Sequence, residues 1–268
     1  MLNMKLPGWS RRIAGFVSLG WILLFAAIDP AGVVAQSTNV PAELPAALQY
    51  PTNPALLPGK GPIPAWKGFP RMWTQRRLEF MRRSAQDKTA VVFLGDSITQ
   101  GWNSLKQDFP GLKIANRGIG GDTTRGVWFR LQEDVLDLDP VAVVLLIGTN
   151  DLGNNGDPDD AADNIRAILT ILEKSDAKMP IVVCKVMPSK PAVAEKIEKL
   201  NVLIDEIVKH DPRLTLCDTW TIYANPDGTC KREEFYDLLH PNKIGYAKWA
   251  AALKPIFARL NLENKTTE

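Results

Sequence analysis

Histidine and cysteine are scarce in this sequence: two histidines and three cysteines among 268 residues. Metals bound by His and Cys need paired ligands at short, recognisable spacings. No such spacing occurs, so no metal and no other cofactor is expected. Charge of one sign is missing too. Lysine and arginine total 32 against 30 aspartates and glutamates. The excess lies in residues 1–35, where Lys5, Arg11 and Arg12 outnumber Asp29. The balanced remainder argues against a nucleic-acid partner. There is no internal repeat. The one long apolar run, Ile13 to Ile28, is short for a bilayer-spanning helix and stops at Asp29-Pro30. Nothing in the sequence sets an oligomeric state.

That run follows Arg11-Arg12 and precedes the small residues Val33 and Ala35, the pattern of a cleavable secretion signal over residues 1–35. No cysteine follows the run, which argues against a lipid-anchored form. A secreted or periplasmic protein beginning near Gln36, with no stable membrane insertion, is expected. Residues 36–84 then form a Pro-rich extension, read as a linker or surface strap, and a lead-in helix over Arg71–Ser84. Residues 85–262 are the expected catalytic domain and 263–268 a flexible tail. Cys184, within "IVVCKV", reads as a small core residue. Cys217 and Cys230 either pair in an oxidising compartment or remain thiols.

From Val91 onward, strand and helix patterns alternate. "AVVFLG", "LKIANRG", "VAVVLLIG", "PIVVCKVM" and "LTLCDTW" are short apolar runs of strand length. Helical spacing marks "TTRGVWFRLQEDVL" as one helix over 123–136, and further helices over Pro158–Lys174, Ala192–Lys209 and Pro241–Leu260. Five strands separated by helices imply a parallel sheet covered on both faces. The expected fold is therefore a three-layer α/β/α sandwich with a five-stranded parallel sheet, flavodoxin-like in class.

Four stretches fall after strands or before the last helix: "GDSITQG", "NRGIGGDTT", "IGTNDLG" and "DLLHPNKIGY". Ser97 stands just past the carboxyl end of a buried strand, where α/β folds place ligands; Asp96 or Ser97 is equally placed to cap the following helix. A serine nucleophile needs a base near neutral pH, and His210 and His240 are the two choices. His210, in "VKHDPRL" at a helix end, reads as a surface residue. His240 follows Asp237 by three residues. That spacing suits a carboxylate orienting imidazole, or a carboxylate capping the start of a helix. Gly120-Gly121 and Asn150 offer amide donors for an oxyanion, or a plain turn and a helix cap. Trp102 and Trp128 either line a substrate site or pack in the core or at its rim.

In order and spacing, the four stretches resemble the four blocks of the SGNH hydrolases, also called the GDSL esterases and lipases, over about residues 90–258. The variety resembles platelet-activating-factor acetylhydrolase-like and carbohydrate-esterase-like branches. The resemblance implies a metal-free serine esterase with Ser97 as nucleophile and His240 and Asp237 as base and acid. Ser97, Gly121 and Asn150 would be the oxyanion donors. Asp96 is left to shape its turn. The expected partner is a small-molecule or glycan ester. No long apolar insertion supplies a lid, which favours acetyl or other short acyl groups. The alternatives are a glycan-binding module without catalysis on the same scaffold, a lipid-directed lipase or lysophospholipase, and a secreted interaction protein.

Overall fold

Val91–Gly95 is buried at every position, as a continuous apolar strand must be when helices cover both faces of its sheet. This strand, β1, is flanked by β2 (Ile114–Gly118) and β3 (Ala142–Leu146), and the sheet continues through β4 (Ile181–Cys184) and β5 (Leu214–Cys217). All neighbouring pairs are parallel, and the spatial order is β2-β1-β3-β4-β5. The order reverses beside β1. The crevice between the carboxyl ends of β1 and β3 is thus a topological switch point, where such sheets bind ligands. The computed structural model describes residues 45–262 apart from 52 and 65. The expected signal segment 1–35 and tail 263–268 lie outside the described residues.

Alternation along the strands divides the core. Val92 and Leu94 face α4 (Thr124–Phe129), α5 (Leu131–Asp134), α7 (Pro158–Ser175) and α8 (Pro191–Lys209). Val91 and Phe93 face α2 (Ser97–Gln100), α3 (Leu105–Asp108) and α9 (Lys243–Arg259). Trp102 belongs to this second layer. It is 2% exposed and stacks on Trp249 at 4.6 Å, so it packs the core and lines no substrate site. Trp128 is half-buried against the first layer. Cys184, Cys217 and Cys230 are buried thiols, and the residue in register with Cys217 is Cys184.

Several elements differ from the sequence reading, among them the lead-in helix, which runs over Phe69–Arg83 and so begins two residues early. The strand in "LKIANRG" begins at Ile114, two residues late. The last helix begins at Lys243, because Asn242 caps it by accepting from Ile244 N and Gly245 N; Pro241 precedes the cap. The single helix read over 123–136 is broken at Arg130 into α4, α5 and a 3₁₀ turn over Leu136–Leu138.

The break has an electrostatic cause. Arg130 is fully buried. Its Nε donates to Asp122 at 2.8 Å, and Nη2 donates to the carbonyls of Gly95 at 3.0 Å and Arg117 at 2.9 Å. Nη1 reaches Asp134 at 3.3 Å. Buried Asp134 also takes Arg77 from the lead-in helix α1 (Phe69–Arg83) at 3.0 Å. Buried Arg117 pairs with Asp87 at 3.0 Å. Removing one partner of a buried pair strands the other charge and costs about 3–5 kcal/mol. Arg130→Met is therefore expected to lower unfolding free energy by about 3–5 kcal/mol in urea titrations. A change below about 1 kcal/mol, the scale of an exposed pair, would contradict the assignment.

Residues 57–61 of the Pro-rich segment form a strap held against α4 and α7. Arg125 holds it by donating to the carbonyls of Leu57, Pro58 and Gly61 at 2.8–3.0 Å. Asn164 both donates to and accepts from Lys60.

Candidate active site

Gly95 ends β1 and Asp96 caps α2, its Oδ1 accepting from Ile98 N at 2.9 Å. Ser97 is thus the first residue of a short helix at the sheet's switch point. The turn is tight because two glycines permit it. A Cβ on Gly95 would stand 2.3 Å from Leu146 O, and one on its register partner Gly118 would stand 2.2 Å from Gln100 N. Asn116 secures the next loop, donating to Thr99 O at 2.7 Å and accepting from Gly118 N at 3.0 Å. Gln100 holds Gly120 N through its side-chain oxygen. Gly121 follows with φ of +78°, a conformation in which other residues are strained.

His240 comes from the loop before α9. Its Nε2 is 2.9 Å from Ser97 Oγ, across 143 positions of sequence, and its Nδ1 is 2.8 Å from Asp237 Oδ2. The other oxygen of Asp237 accepts from His240 N at 2.8 Å and Leu239 N at 3.2 Å. Asp237 therefore does both things its spacing allowed: it shapes the turn and it meets the imidazole. Leu238 completes this turn at φ of +63°, held by Ser189 Oγ on its carbonyl at 2.9 Å. His210 caps the end of α8 and is exposed, as its sequence context suggested.

Asn150, in α6 (Thr149–Gly153) after β3, donates from Nδ2 to Asp122 O at 2.9 Å and to Asp96 Oδ2 at 3.3 Å. Asp151 caps a different helix from its own, accepting from Thr124 N and Oγ1 at the start of α4. The structure thus brings Ser97, His240 and Asp237 into one hydrogen-bonded line. Asn150 is tied to Asp96, the residue before Ser97, and to Asp122, the residue after Gly121.

Residues 93–248 match the GDSL-like Lipase/Acylhydrolase family. The chain belongs to that family. It is 30% identical over 215 residues to platelet-activating factor acetylhydrolase IB subunit alpha1 of Pongo abelii, covering 78% of this chain and 91% of the relative. The human subunit is 29% identical over the same shares. Among solved structures, a GDSL-like lipase from Bacteroides thetaiotaomicron superposes with a TM-score of 0.60 at 24% identity, covering 67% of this chain and 97% of that one. An acetyl xylan esterase, AlAXEase, superposes at 0.52 and 23%, covering 62% of this chain and 98% of that one. These two likenesses speak to the fold. Family membership makes the protein a carboxylic ester hydrolase. Among the described residues, no helix is long and apolar enough to cross a membrane, and no three His, Cys, Asp or Glu side chains are grouped to hold a metal.

Behind Ser97 and His240 of this acylhydrolase lie three buried carboxyls. Desolvation raises Asp96 to about 7, with Asp122 and Asp151 adding repulsion against the Ile98 N–H. Desolvation likewise raises Asp151 to about 7, against its bonds from Thr124. It raises Asp122 despite Arg130. Asp237, nearer the surface, behaves oppositely. Its modest desolvation is outweighed by the His240 N–H and ring, which hold it below the ordinary carboxyl range.

Sequence reading passed over several residues that build the site. Gln100, Asn116, Ser189 and Arg130 position loops; the first two lie inside the first and second stretches without a role assigned to them there, and the other two carry no motif signal. Trp66 is another. Its indole Nε1 lies 3.6 Å from where a Cβ on Gly121 would be, and it is 52% exposed.

The buried carboxyls set a stability slope. Between an ordinary carboxyl value of 3.8 and about 7, folded Asp96 and Asp151 keep protons that the unfolded chain releases. The folded state then binds more protons, so stability falls as pH rises through that window. The groups held low, such as Asp237, act below it. Urea midpoints are expected to be higher at pH 5 than at pH 7.5, and Asp151→Asn to flatten the difference. A midpoint that rises from pH 5 to 7.5 would contradict this.

Proposed function

We propose that the protein is a secreted serine esterase that removes an acetyl or other short acyl group through an acyl-enzyme. The observation that carries the reading is the 2.9 Å approach of His240 Nε2 to Ser97 Oγ, with Asp237 on the far ring nitrogen. A free hydroxyl is a weak nucleophile until a base takes its proton. In the proposed cycle Ser97 Oγ bonds to the ester carbonyl carbon as its proton passes to His240 Nε2. Asp237 accepts from Nδ1–H, fixes the tautomer that leaves Nε2 free, and stabilises the imidazolium. Collapse of the tetrahedral intermediate breaks the bond to the alcohol oxygen, which takes the proton from His240. Water, deprotonated by the same nitrogen, then cleaves the acyl-serine and restores Ser97.

The oxyanion is assigned to the backbone N–H groups of Ser97 and Gly121 and to Asn150 Nδ2. Of the two bonds Asn150 Nδ2 makes, the 3.3 Å contact to Asp96 is the one available for exchange with a developing negative charge. The short acyl preference draws support from the acetylhydrolase relatives. The export assignment rests on the sequence of residues 1–35, and residues 36–84 are proposed as an extension leading into a catalytic domain over 85–262.

Two measurements test this. On a chromogenic acetyl ester, Ser97→Ala is expected to abolish turnover with an unchanged circular dichroism spectrum. Asn150→Ala is expected to lower kcat by about 10²–10³, the scale of losing one oxyanion donor, with a smaller change in KM. Wild-type turnover by Ser97→Ala would overturn the assignment, and a loss confined to KM would move Asn150 to ground-state binding. Terminal sequencing of exported protein is expected to start near Gln36; a start at Met1 in the membrane fraction would overturn the export reading.

A further inference from the structure

The chemistry assigned to His240 says where the alcohol half of the ester must lie. The nitrogen that takes the Ser97 proton hands a proton to the departing oxygen, so the alcohol leaves from the side of the histidine loop. That loop borders an open cavity of about 660 Å³ lined by Arg232, Glu233, Phe235, Tyr236, Asp237 and Leu238. Asp237, the partner of His240, forms part of its wall. The cavity therefore adjoins the histidine turn through Asp237.

Its lining is unusual for a surface that only packs the loop. Tyr236 is 76% exposed, a large aromatic left in water. Its backbone is nevertheless fixed, with Tyr236 N donating to His240 O at 2.9 Å and Phe235 bridging to Pro241. The ring is carried on a rigid segment. In the same lining, Arg232 and Glu233 are exposed, and among the described residues neither side chain makes an ion pair or a hydrogen bond. Glu233 contributes only its backbone carbonyl, to Asn242. An aromatic face flanked by an unpaired guanidinium and an unpaired carboxylate matches one kind of leaving group. A ring with several hydroxyls presents C–H faces to the aromatic, and hydroxyls that accept from Arg and donate to Glu.

Resting on Ser97 and His240 as nucleophile and base, we infer that Tyr236, Arg232 and Glu233 form a leaving-group subsite that selects esters of a hydroxylated ring over esters of a linear alcohol. The two kinds of ester can share one acyl group. The acyl-enzyme and its hydrolysis are then identical, and any dependence on the alcohol belongs to binding and acylation.

The experiment compares kcat/KM for an acetylated methyl pyranoside with that for ethyl acetate. The wild type is expected to favour the pyranoside ester. Tyr236→Ala is expected to lower the pyranoside-to-ethyl ratio about 3- to 10-fold, the scale of one aromatic contact, with the loss in KM. Tyr236→Phe should restore most of it, and Arg232→Ala should lower the ratio in the same direction. Val202→Ala, exposed on α8, serves as a control whose ratio stays at the wild-type value. An unchanged ratio in both Tyr236→Ala and Arg232→Ala overturns the inference. So does an equal loss on both esters carried by kcat, which would give Tyr236 a role in holding the histidine loop. A wild type that cleaves ethyl acetate but not the pyranoside ester overturns the inference and leaves the esterase reading intact. A wild type that cleaves neither defeats the proposed short-acyl esterase function first, and the subsite with it.

Discussion

One buried guanidinium holds the site's scaffold together. Arg130 has no exposed surface, so each of its N–H groups must find an acceptor inside the protein. The acceptors are the last carbonyl of β1, a carbonyl of β2, Asp122 and Asp134. The first of these belongs to Gly95, two residues before Ser97, and Asp122 follows Gly121. The loop bearing the proposed nucleophile and the loop bearing a proposed oxyanion donor are thus referred to the same rigid group. Well-packed hydrophobic side chains in place of the whole network, Arg130 together with its carboxylates, could match its net stability, but they could not direct these carbonyls and loops. Position is what the ion network supplies.

A similar economy shapes the histidine loop. One carboxylate, Asp237, closes the turn with one oxygen and meets the imidazole with the other. Folding the turn and orienting the ring are therefore the same event. Ser189 adds a tie to the strained Leu238 position. The ring remains reachable, with His240 about one-third exposed, as the role proposed for it requires. The low position of Asp237 and the high positions of Asp96 and Asp151 follow from the same contrast between access to solvent and burial.

The strap before α1 extends this logic outward. Arg125, in the first turn of α4, grips three strap carbonyls. Asn164 ties Lys60 to Thr124, which Asp151 caps. The strap is thereby joined to the second and third blocks, and its continuation brings Trp66 beside Gly121. A Pro-rich composition predicts an extended segment; it does not say which side chains will hold it.

The sequence by itself determined the sheet, because five apolar runs of strand length bounded by loops have few other ways to bury both faces. It also marked Ser97, Asp237 and His240 as candidates, since a turn glycine before Asp-Ser and a three-residue Asp-to-His spacing are local patterns. Only the tertiary structure decided what depends on distant partners. The break at Arg130 could not be read from "TTRGVWFRLQEDVL", whose apolar spacing is helical throughout, because its cause lies in carbonyls of two other strands. Trp102 and Trp66 look alike in sequence, yet stacking on Trp249 buries the first and the strap leaves the second half exposed. Asp151 sits where a helix cap belongs and caps another helix. Local propensity is a property of neighbours along the chain; burial, charge pairing and the approach of His240 to Ser97 are properties of neighbours in space.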